Sequence, residues 1–475
     1  MLFNSIVFFI FLPICFGLYW FVCNKRLHIQ NILILIASYV FYGWWDERFL
    51  ALIALSTLVD YTVGLQLEKA EKQNKRKLLL AISLAINLGL LGVFKYYNFF
   101  VASWIDAWAS FGVSMEASTL KIILPVGISF YTFQTLSYTI DIYRKQLQAE
   151  RNLINFASYV AFFPQLVAGP IERATRLLPQ FSRKRIFDYH QAKSGVYLII
   201  WGLFKKIVIA DNCAFFVNTI FENPSGYSSA ELLVGAVLFA FQIYGDFSGY
   251  SDIAIGTARL FGFELMVNFK FPYFSKNIGD FWRRWHISLS TWFRDYVYIP
   301  LGGSRGSRWQ QIRNVFVIFL VSGFWHGANW TFIVWGAIHA LLFIPLLLLN
   351  RNRNDVNSTR ISFKDSWRIL LTFLLVTLAW IYFRADTITI ANQYILDIVQ
   401  GASFELSLFI QSNKYMLYTL ICFFGIGVLL IKELKSYVQG VKEVQLTKWS
   451  AFFMIMCILF LGAFQNPETF IYFQF

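Results

Sequence analysis

Charged side chains are scarce in this chain of 475 residues. Asp, Glu, Lys and Arg make up 14% of it, whereas about a quarter of the residues of a soluble globular protein are charged. Hydrophobic residues make up 57%, a content that excludes an ordinary soluble domain and predicts a polytopic membrane protein. The formal net charge of +14 is then explained by Lys and Arg in cytoplasmic loops, and it does not indicate nucleic-acid binding.

Cysteine is also rare, and its spacing excludes two classes of site. There is no C-x-x-C pair and no Cys/His spacing typical of a metal site among Cys15, Cys23, Cys213, Cys422 and Cys457. Most of these residues lie in apolar runs. We therefore expect buried thiols, with no structural disulfide and no zinc site. We also expect no other metal site and no bound cofactor.

The N-terminal apolar run, residues 2–22, lacks the features of a cleaved signal peptide. No basic segment precedes it and no A-x-A site follows it, while Lys25 and Arg26 come directly after it. We expect a retained first span with the N-terminus outside. Further candidate spans, several of them short or interrupted, lie near 30–45, 48–66, 78–95, 122–143, 153–168, 194–221, 230–262, 312–323, 328–349, 367–384, 413–431 and 448–464.

These spans predict an all-α membrane protein of about 11–13 transmembrane or re-entrant helices, in a single membrane domain over residues 1–475. The segments 153–168 and 312–323 are the candidates for re-entry because they are short. Loops rich in Lys and Arg are expected inside, at 24–29, 67–77, 144–151, 350–366 and 432–447. The loops 46–47, 96–120 and 386–412 are expected outside, as is the C-terminus, and the topology of 150–325 stays open.

The first of two histidine motifs runs from Asp280 to Gly306 and reads DFWRRWHISLSTWFRDYVYIPLGGSRG. Drawn as a helix, it places its large aromatic side chains on one arc and His286 on the adjoining arc, together with Arg283, Ser290 and Arg294. Such an amphipathic helix is typical of a membrane interface or of the wall of a wet cavity. Two readings stay open: His286 helps in chemistry, or it only caps or solvates an interfacial helix.

Arginines of the same motif are candidates for binding a phosphorylated donor. Arg283, Arg284 and Arg294 either contact the phosphates of a CoA-type molecule at the cytoplasmic side or anchor the helix at the interface. The glycine-rich segment Gly302–Arg308 (GGSRGSR) comes next. It lacks the GKS or GKT ending of a P-loop, so we expect a cytoplasmic turn there.

The second histidine motif, Ser322–Ala340, reads SGFWHGANWTFIVWGAIHA. It is apolar except for His326, Asn329 and His339. An ionisable residue inside a membrane segment is a functional candidate because its burial is expensive, and this makes His326 the candidate catalytic base. The alternative is a hydrogen-bonded structural histidine. Asn329 would share a face with His326 in a continuous helix and would either donate to a developing oxyanion or orient the ring. We expect His339 to be structural.

Two further stretches carry polar groups where apolar ones would cost less. Phe162–Arg173 reads FFPQLVAGPIER, and its two prolines predict a broken helix. Gln242–Gly256 reads QIYGDFSGYSDIAIG, inside a long apolar run. Its acidic residues, Asp246 and Asp252, are predicted either to face a cavity that binds substrate or to form buried ion pairs with arginine.

Four stretches together resemble the membrane-bound O-acyltransferase (MBOAT) family, in particular its bacterial alginate O-acetyltransferase-like branch. They read FFPQLVAGPIER, YGDFSGYSDIAIGTARLFGFEL, NFKFPYFSKNIGDFWRRWHISLSTWFRDYVYIPLGG and SGFWHGANWTFIVWG, and the likeness extends over nearly the whole chain. The resemblance implies an all-α, funnel-shaped fold with a tunnel through the membrane. It also implies that His326 is the near-invariant histidine of the family and His286 the second one.

The resemblance further implies a reaction and its partners. An acetyl group would pass from a cytoplasmic donor, acetyl-CoA, to an extracytoplasmic polysaccharide such as alginate, through an SGNH-hydrolase-like partner, at the inner membrane of a bacterium. Peptidoglycan O-acetylation and transfer of D-alanine from a carrier protein to teichoic acid are the alternatives within the family. A transporter is a third hypothesis, but the paired histidine motifs and the absence of a visible inverted repeat argue against it.

Overall fold

The computed structural model describes residues 1–167, 169–352, 361–401, 403–464 and 469–471, and within those ranges the regular backbone is helical with no strand. The predicted all-α class is confirmed. The chain packs into two compact units. The first comprises Met1–Gly195 and Thr257–Met266, and the second comprises Val196–Gly256 and the described residues from Val267 onward. The single membrane domain over 1–475 stays a prediction.

Most helices of the first unit follow the predicted apolar runs. The predicted loop 96–120 is wrong in its first half, because the apolar sequence continues and Gln73–Ser110 is one helical stretch. The helices of this unit are α1 (Ile6–Gly17, continued by a π-helical turn to Val22), α2 (Leu27–Gly43), α3 (Leu50–Lys69), α4 (Gln73–Leu91), α5 (Tyr97–Ser110), α6 (Ile128–Tyr143), α7 (Leu153–Ala161), α8 (Phe163–Leu166) and α9 (Ala174–Phe181). The predicted break in Phe162–Arg173 is confirmed, since α7 ends before Phe162 and Pro164 lies in the first turn of α8.

Polar contacts join the helices of the first unit, as expected where lipid supplies no hydrophobic drive between them. Asp60 on α3 accepts hydrogen bonds from Ser83 Oγ at 2.5 Å and Asn87 Nδ2 at 2.8 Å, both on α4. The buried Arg185 donates to Asn31 Oδ1 on α2 and to the hydroxyl of Tyr19. These contacts fix the helix register that apolar packing alone leaves loose.

Two helices run from one unit into the other: α10 (Tyr189–Leu203) and α12 (Ser229–Leu260). The second unit contains α11 (Asp211–Glu222), α13 (Ile278–Arg284), α14 (Ile287–Phe293), α15 (Arg308–His326), α16 (Trp330–Leu348), α17 (Phe363–Arg384), α18 (Ile388–Gln400), α19 (Ser407–Ile410), α20 (Asn413–Val438) and α21 (Lys448–Leu461). Helix α15 is unbroken through 312–323, and the re-entry of this segment stays a prediction. Part of the predicted loop 350–366, residues 353–360, lies outside the described residues.

Six helical stretches of the described chain are long and apolar enough to cross a membrane: Glu47–Lys69, Gln73–Ser110, Ser229–Leu260, Trp330–Leu348, Phe363–Arg384 and Asn413–Val438. Shorter apolar helices accompany them at Ile6–Val22, Leu27–Gly43, Leu153–Leu166 and Lys448–Leu461. The prediction of a multi-pass membrane protein is thereby confirmed. The assignment of loops to the two sides of the membrane stays a prediction.

Helices α15 and α16 form a hairpin with a very close backbone approach. A Cβ atom added to Gly323 would lie 2.3 Å from the carbonyl oxygen of Phe332, and one added to Gly336 would lie 2.4 Å from that of Phe319. At Gly327 the added atom would meet the ring of Phe332 at 2.0 Å. The small residues around His326 therefore admit the neighbouring helix, and the space beside them is filled by protein.

Candidate active site

The chain turns sharply at His286. Helix α13 ends at Arg284, helix α14 begins at Ile287, and His286 between them has φ 45°, in the left-handed region. The continuous amphipathic helix predicted for this motif is therefore wrong. A non-glycine residue in this conformation costs about 1–3 kcal/mol and persists only where its surroundings hold it, most often at functional sites.

The ring of His286 is buried among aromatic side chains. Its side chain is 0% exposed, and its ring centroid lies 4.7 Å from that of Phe247 and 6.0 Å from that of Trp325. The predicted position on the polar shoulder of an interfacial helix is therefore wrong. Burial, with a contribution from His326, lowers the pKa of His286 well below its usual value, so the ring is neutral at pH 7.

His326 is the last residue of α15 and lies beside His286. The two ring centroids are 6.4 Å apart with their planes at 81°. Nδ1 of His326 is 2.6 Å from the carbonyl oxygen of Ser322. A carbonyl can only accept, so Nδ1 carries the hydrogen and Nε2 holds the lone pair. Two histidines 40 positions apart in sequence thus form one buried pair.

His339 is fully buried but makes different contacts. Its Nδ1 accepts a hydrogen bond from the indole Nε1 of Trp282 at 3.3 Å, and its ring stacks on Phe281 with the centroids 6.2 Å apart. Trp335 lies between His326 and His339, 5.0 Å and 4.9 Å from the two ring centroids. The structural role predicted for His339 fits this packing and stays a prediction.

Asn329 caps the helix that follows the pair. Its Oδ1 accepts from the backbone N–H of Thr331 at 3.0 Å, and its Nδ2 donates to the carbonyl oxygen of Asp386 at 2.9 Å. Because α15 ends at His326 and α16 begins at Trp330, Asn329 and His326 do not share a helix face. The shared helix face expected for these two residues is therefore wrong. A role for Asn329 in substrate contact stays a prediction.

A cavity of about 370 Å³ opens beside α13, α14 and α15. Its wall includes Arg283, Arg294 and Ser322, the residue whose carbonyl holds His326. Arg283 donates to the carbonyl oxygen of Asn352 at 2.6 Å, and Arg294, 57% exposed, pairs with Asp295 at 2.7 Å. The cavity is therefore lined both by two guanidinium groups and by the last turn of α15, which ends at His326.

Arg284 has a different environment from the other two arginines. It is buried, its Nε lies 3.0 Å from Asp280 Oδ1, and its guanidinium carbon lies 4.8 Å from the ring centre of Tyr437. The structure thus brings two of the three predicted donor-binding arginines to the cavity. The third is part of a buried ion pair.

The two predicted acidic residues of α12 are in ion pairs. Lys206 Nζ lies 2.7 Å from Asp246 and 2.8 Å from Asp211, and Lys205 Nζ lies 2.7 Å from Asp252. The partners are lysines, where arginines were predicted. A part for Asp246 or Asp252 in substrate binding stays a prediction, while their contacts agree with the ion-pair alternative.

Sequence reasoning missed three residues of this region: Asn268, Lys205 and Lys206. The lysines left a signal, because a Lys-Lys pair inside the apolar run 194–221 needs acidic partners. Asn268 left none, since an asparagine after a helix end is ordinary. The backbone N–H of Ile471, which donates to Asp246 Oδ2 at 2.6 Å, was also unexpected.

The apolar helices and the buried histidine pair define a multi-pass membrane protein with a site suited to proton transfer. The chain belongs to the MBOAT, membrane-bound O-acyltransferase, family, whose sequence model matches residues 48–385. The protein is therefore a membrane O-acyltransferase, as the resemblance of its motifs implied.

Proteins similar to this chain carry names that mention three different acceptors. The chain is 41% identical over 438 residues to the "Probable alginate O-acetylase AlgI" of Pseudomonas aeruginosa, covering 90% of this chain and 82% of the relative. It is 33% identical over 526 aligned residues to the "Peptidoglycan O-acetyltransferase" of Helicobacter pylori, covering 100% and 98%. The "Teichoic acid D-alanyltransferase" of Bacillus subtilis is 29% identical over 237 residues, covering 47% and 58%.

Proposed function

We propose that this protein transfers an acetyl group from cytoplasmic acetyl-CoA toward a hydroxyl group of an extracytoplasmic polysaccharide, with His326 as the catalytic base and His286 as its helper. The observation that carries the proposal is the buried pair of imidazole rings with centroids 6.4 Å apart. The names of the two acetylating relatives support acetyl as the transferred group.

Acyl transfer needs a base whose unprotonated form is present near pH 7, and a neutral imidazole meets this need. Nε2 of His326 removes the proton of the acceptor hydroxyl while the oxygen attacks the acetyl carbonyl. The C–S bond of the thioester then breaks, and the imidazolium returns a proton to the leaving thiolate. No net proton is gained or lost. The aromatic walls around both rings exclude water, which protects the thioester from hydrolysis.

The donor is assigned to the cavity that Arg283 and Arg294 line. Replacing either residue with Gln should raise the KM for acetyl-CoA by about 10- to 100-fold with little change in kcat, because a charge-assisted bond to phosphate contributes roughly 1.5–3 kcal/mol. Radiolabelled acetyl transfer by the purified protein in liposomes measures this. Arg284→Gln is the matched comparison, since Arg284 pairs with Asp280 and should lower the folded yield more than the donor affinity. An unchanged KM in both cavity variants would remove this role.

The acceptor separates the proposal from its alternatives. Cells that carry and lack the gene should differ in the O-acetyl content of a surface polysaccharide, measured by mass spectrometry of the purified polymers. Loss of acetyl groups from muramic acid would favour peptidoglycan as the acceptor, in agreement with the Helicobacter relative. Loss of D-alanine from teichoic acid would favour the reaction named for the Bacillus relative. It would also favour the carrier-protein donor of that alternative. No change in any of the three polymers would contradict the proposal.

The same experiment addresses the predicted partner. We propose that the acetyl group reaches the polymer through an SGNH-hydrolase-like protein at the outer face of the membrane. Deleting such a partner should then reproduce the loss of polymer acetylation, while the purified membrane protein still consumes acetyl-CoA in the presence of a small hydroxyl acceptor. A polymer that stays acetylated without the partner would indicate direct transfer.

A further inference from the structure

One buried side chain, Asn268, ties together the turn that carries His286. Its Oδ1 accepts hydrogen bonds from the backbone N–H of Ser288 at 3.2 Å and from Ser288 Oγ at 2.9 Å. Its backbone carbonyl accepts from the N–H of Ile287 at 2.9 Å. These bonds hold both residues that follow His286, and they explain how that residue is kept at a φ of 45°.

The same oxygen determines which nitrogen of His286 is protonated. Nδ1 of His286 lies 3.2 Å from Asn268 Oδ1. The backbone N–H of Ser288 can only donate, so the atom that it contacts must be the amide oxygen of Asn268. An amide oxygen can only accept, and the hydrogen in its contact with His286 is therefore on Nδ1. The lone pair of the neutral ring is consequently on Nε2, as it is in His326.

The amide nitrogen of Asn268 has no hydrogen-bond partner among the described residues, although the side chain is 0% exposed. An unsatisfied buried donor opposes folding, so the residue is not explained by stability alone. Its oxygen, by contrast, accepts from His286 and from two groups of Ser288. The asymmetry indicates that the oxygen is the functional half of this side chain.

We propose that Asn268 is the positioning residue of His286: it fixes the imidazole as the Nδ1–H tautomer and directs Nε2 into the histidine pair. This inference rests on the proposed function only in assigning His286 to acyl transfer. Asn268 itself contacts neither donor nor acceptor in this account. It acts through the ring, in the way that a hydrogen-bond partner of one imidazole nitrogen sets the basicity and direction of the other.

The test compares Asn268→Leu with Asn268→Asp, using acetyl transfer by the purified full-length protein across a range of pH. The leucine variant lacks the acceptor, so we expect kcat to fall about 10- to 100-fold while the KM for acetyl-CoA stays constant. The aspartate variant keeps the acceptor and should restore most of kcat. Ser288→Ala removes one bond to the same oxygen without affecting the contact to His286, and its kcat should stay within about threefold of the wild type.

The pH profile of the aspartate variant distinguishes positioning from packing. The ring neighbours of His286 are aromatic, and His326 is the titratable group that faces it within the described structure. A carboxylate at position 268 favours the imidazolium, which raises the pKa of His286 and moves the acid limb of the kcat profile to higher pH. Such a movement would show that the group at position 268 acts on kcat through the protonation of His286, whereas a packing defect alone lowers kcat equally at every pH.

Two outcomes would overturn this proposal: wild-type kcat in the leucine variant, or an aspartate variant whose acid limb does not move. If the leucine variant does not fold, the aspartate profile alone decides. His286→Ala serves as the reference for the underlying function. Wild-type activity in His286→Ala would remove the proposed role of the histidine. Reduced activity there, with no effect at Asn268, would remove the positioning role alone.

Discussion

His326→Ala should abolish nearly all acetyl transfer while the protein still inserts and accumulates. General-base catalysis contributes about 100- to 10,000-fold, and the alanine side chain offers no substitute for Nε2. The ring packs against Trp325, Trp335 and Phe383, and its Nδ1 donates to the carbonyl oxygen of Ser322 in its own helix. Because the bond to Ser322 joins neutral groups, losing it leaves no buried charge behind. The measurement is kcat with acetyl-CoA in liposomes, normalised to folded protein.

Three other histidines provide controls of graded severity. His190→Ala removes an exposed ring and should leave kcat unchanged. His286→Ala should leave partial activity, and His339→Ala should be the mildest of the buried replacements. Near wild-type acetylation by His326→Ala at normal protein level would contradict the assignment. An inactive His286→Ala beside a merely weakened His326→Ala would reverse the two roles.

Lys206→Met should sharply lower the stability of the folded protein. Lys206 is buried and lies within 2.8 Å of two carboxylates, so its loss leaves Asp211 and Asp246 without their shared cation. Removing one partner of a buried ion pair costs about 3–5 kcal/mol, and here one cation serves two acids. We expect low folded yield and an early thermal transition, measured by fluorescence-detected size exclusion in detergent.

Two variants separate lost charge balance from lost packing. Lys206→Arg keeps the cation and should retain most of the stability. The double variant Lys206→Met with Asp246→Asn removes one of the two uncompensated acids and should recover part of the loss. A Lys206→Met protein as stable as the wild type would contradict the ion-pair account. It would favour the alternative prediction that Asp246 faces substrate.

The fold class and the choice of His326 as a candidate could be predicted from local sequence. Long apolar runs identify membrane helices without reference to tertiary structure. His326 is conspicuous because an ionisable group in such a run is costly. The burial of His286 was not predictable, since it depends on Asn268, which lies 18 positions earlier and breaks the expected helix through tertiary hydrogen bonds. The helical periodicity of a sequence carries no information about hydrogen bonds between residues in different elements.

The ion-pair partners of α12 were also not predictable from local sequence. The sequence indicates that Asp246 and Asp252 need cations, but their lysine partners lie some 40 positions away on a π-helical stretch, Phe204–Ala210. For Asn329, a helix end at His326 replaced the assumed continuous helix. In both cases the residue type was informative and its geometry was not, because partner choice is decided by packing between elements.

The hairpin of α15 and α16 has a consequence for reading genetic screens of this protein. Hydrogen is the only substituent that fits at Gly323 and Gly336, where an added carbon would lie within 2.4 Å of the facing backbone. Any larger residue would push apart the two helices of the hairpin and displace His326 without touching its imidazole. A map of positions that do not tolerate substitution should therefore mark these glycines as strongly as His326, the proposed base. Loss of function on substitution in this hairpin can therefore reflect either the close approach of the two helices or the loss of a reacting group.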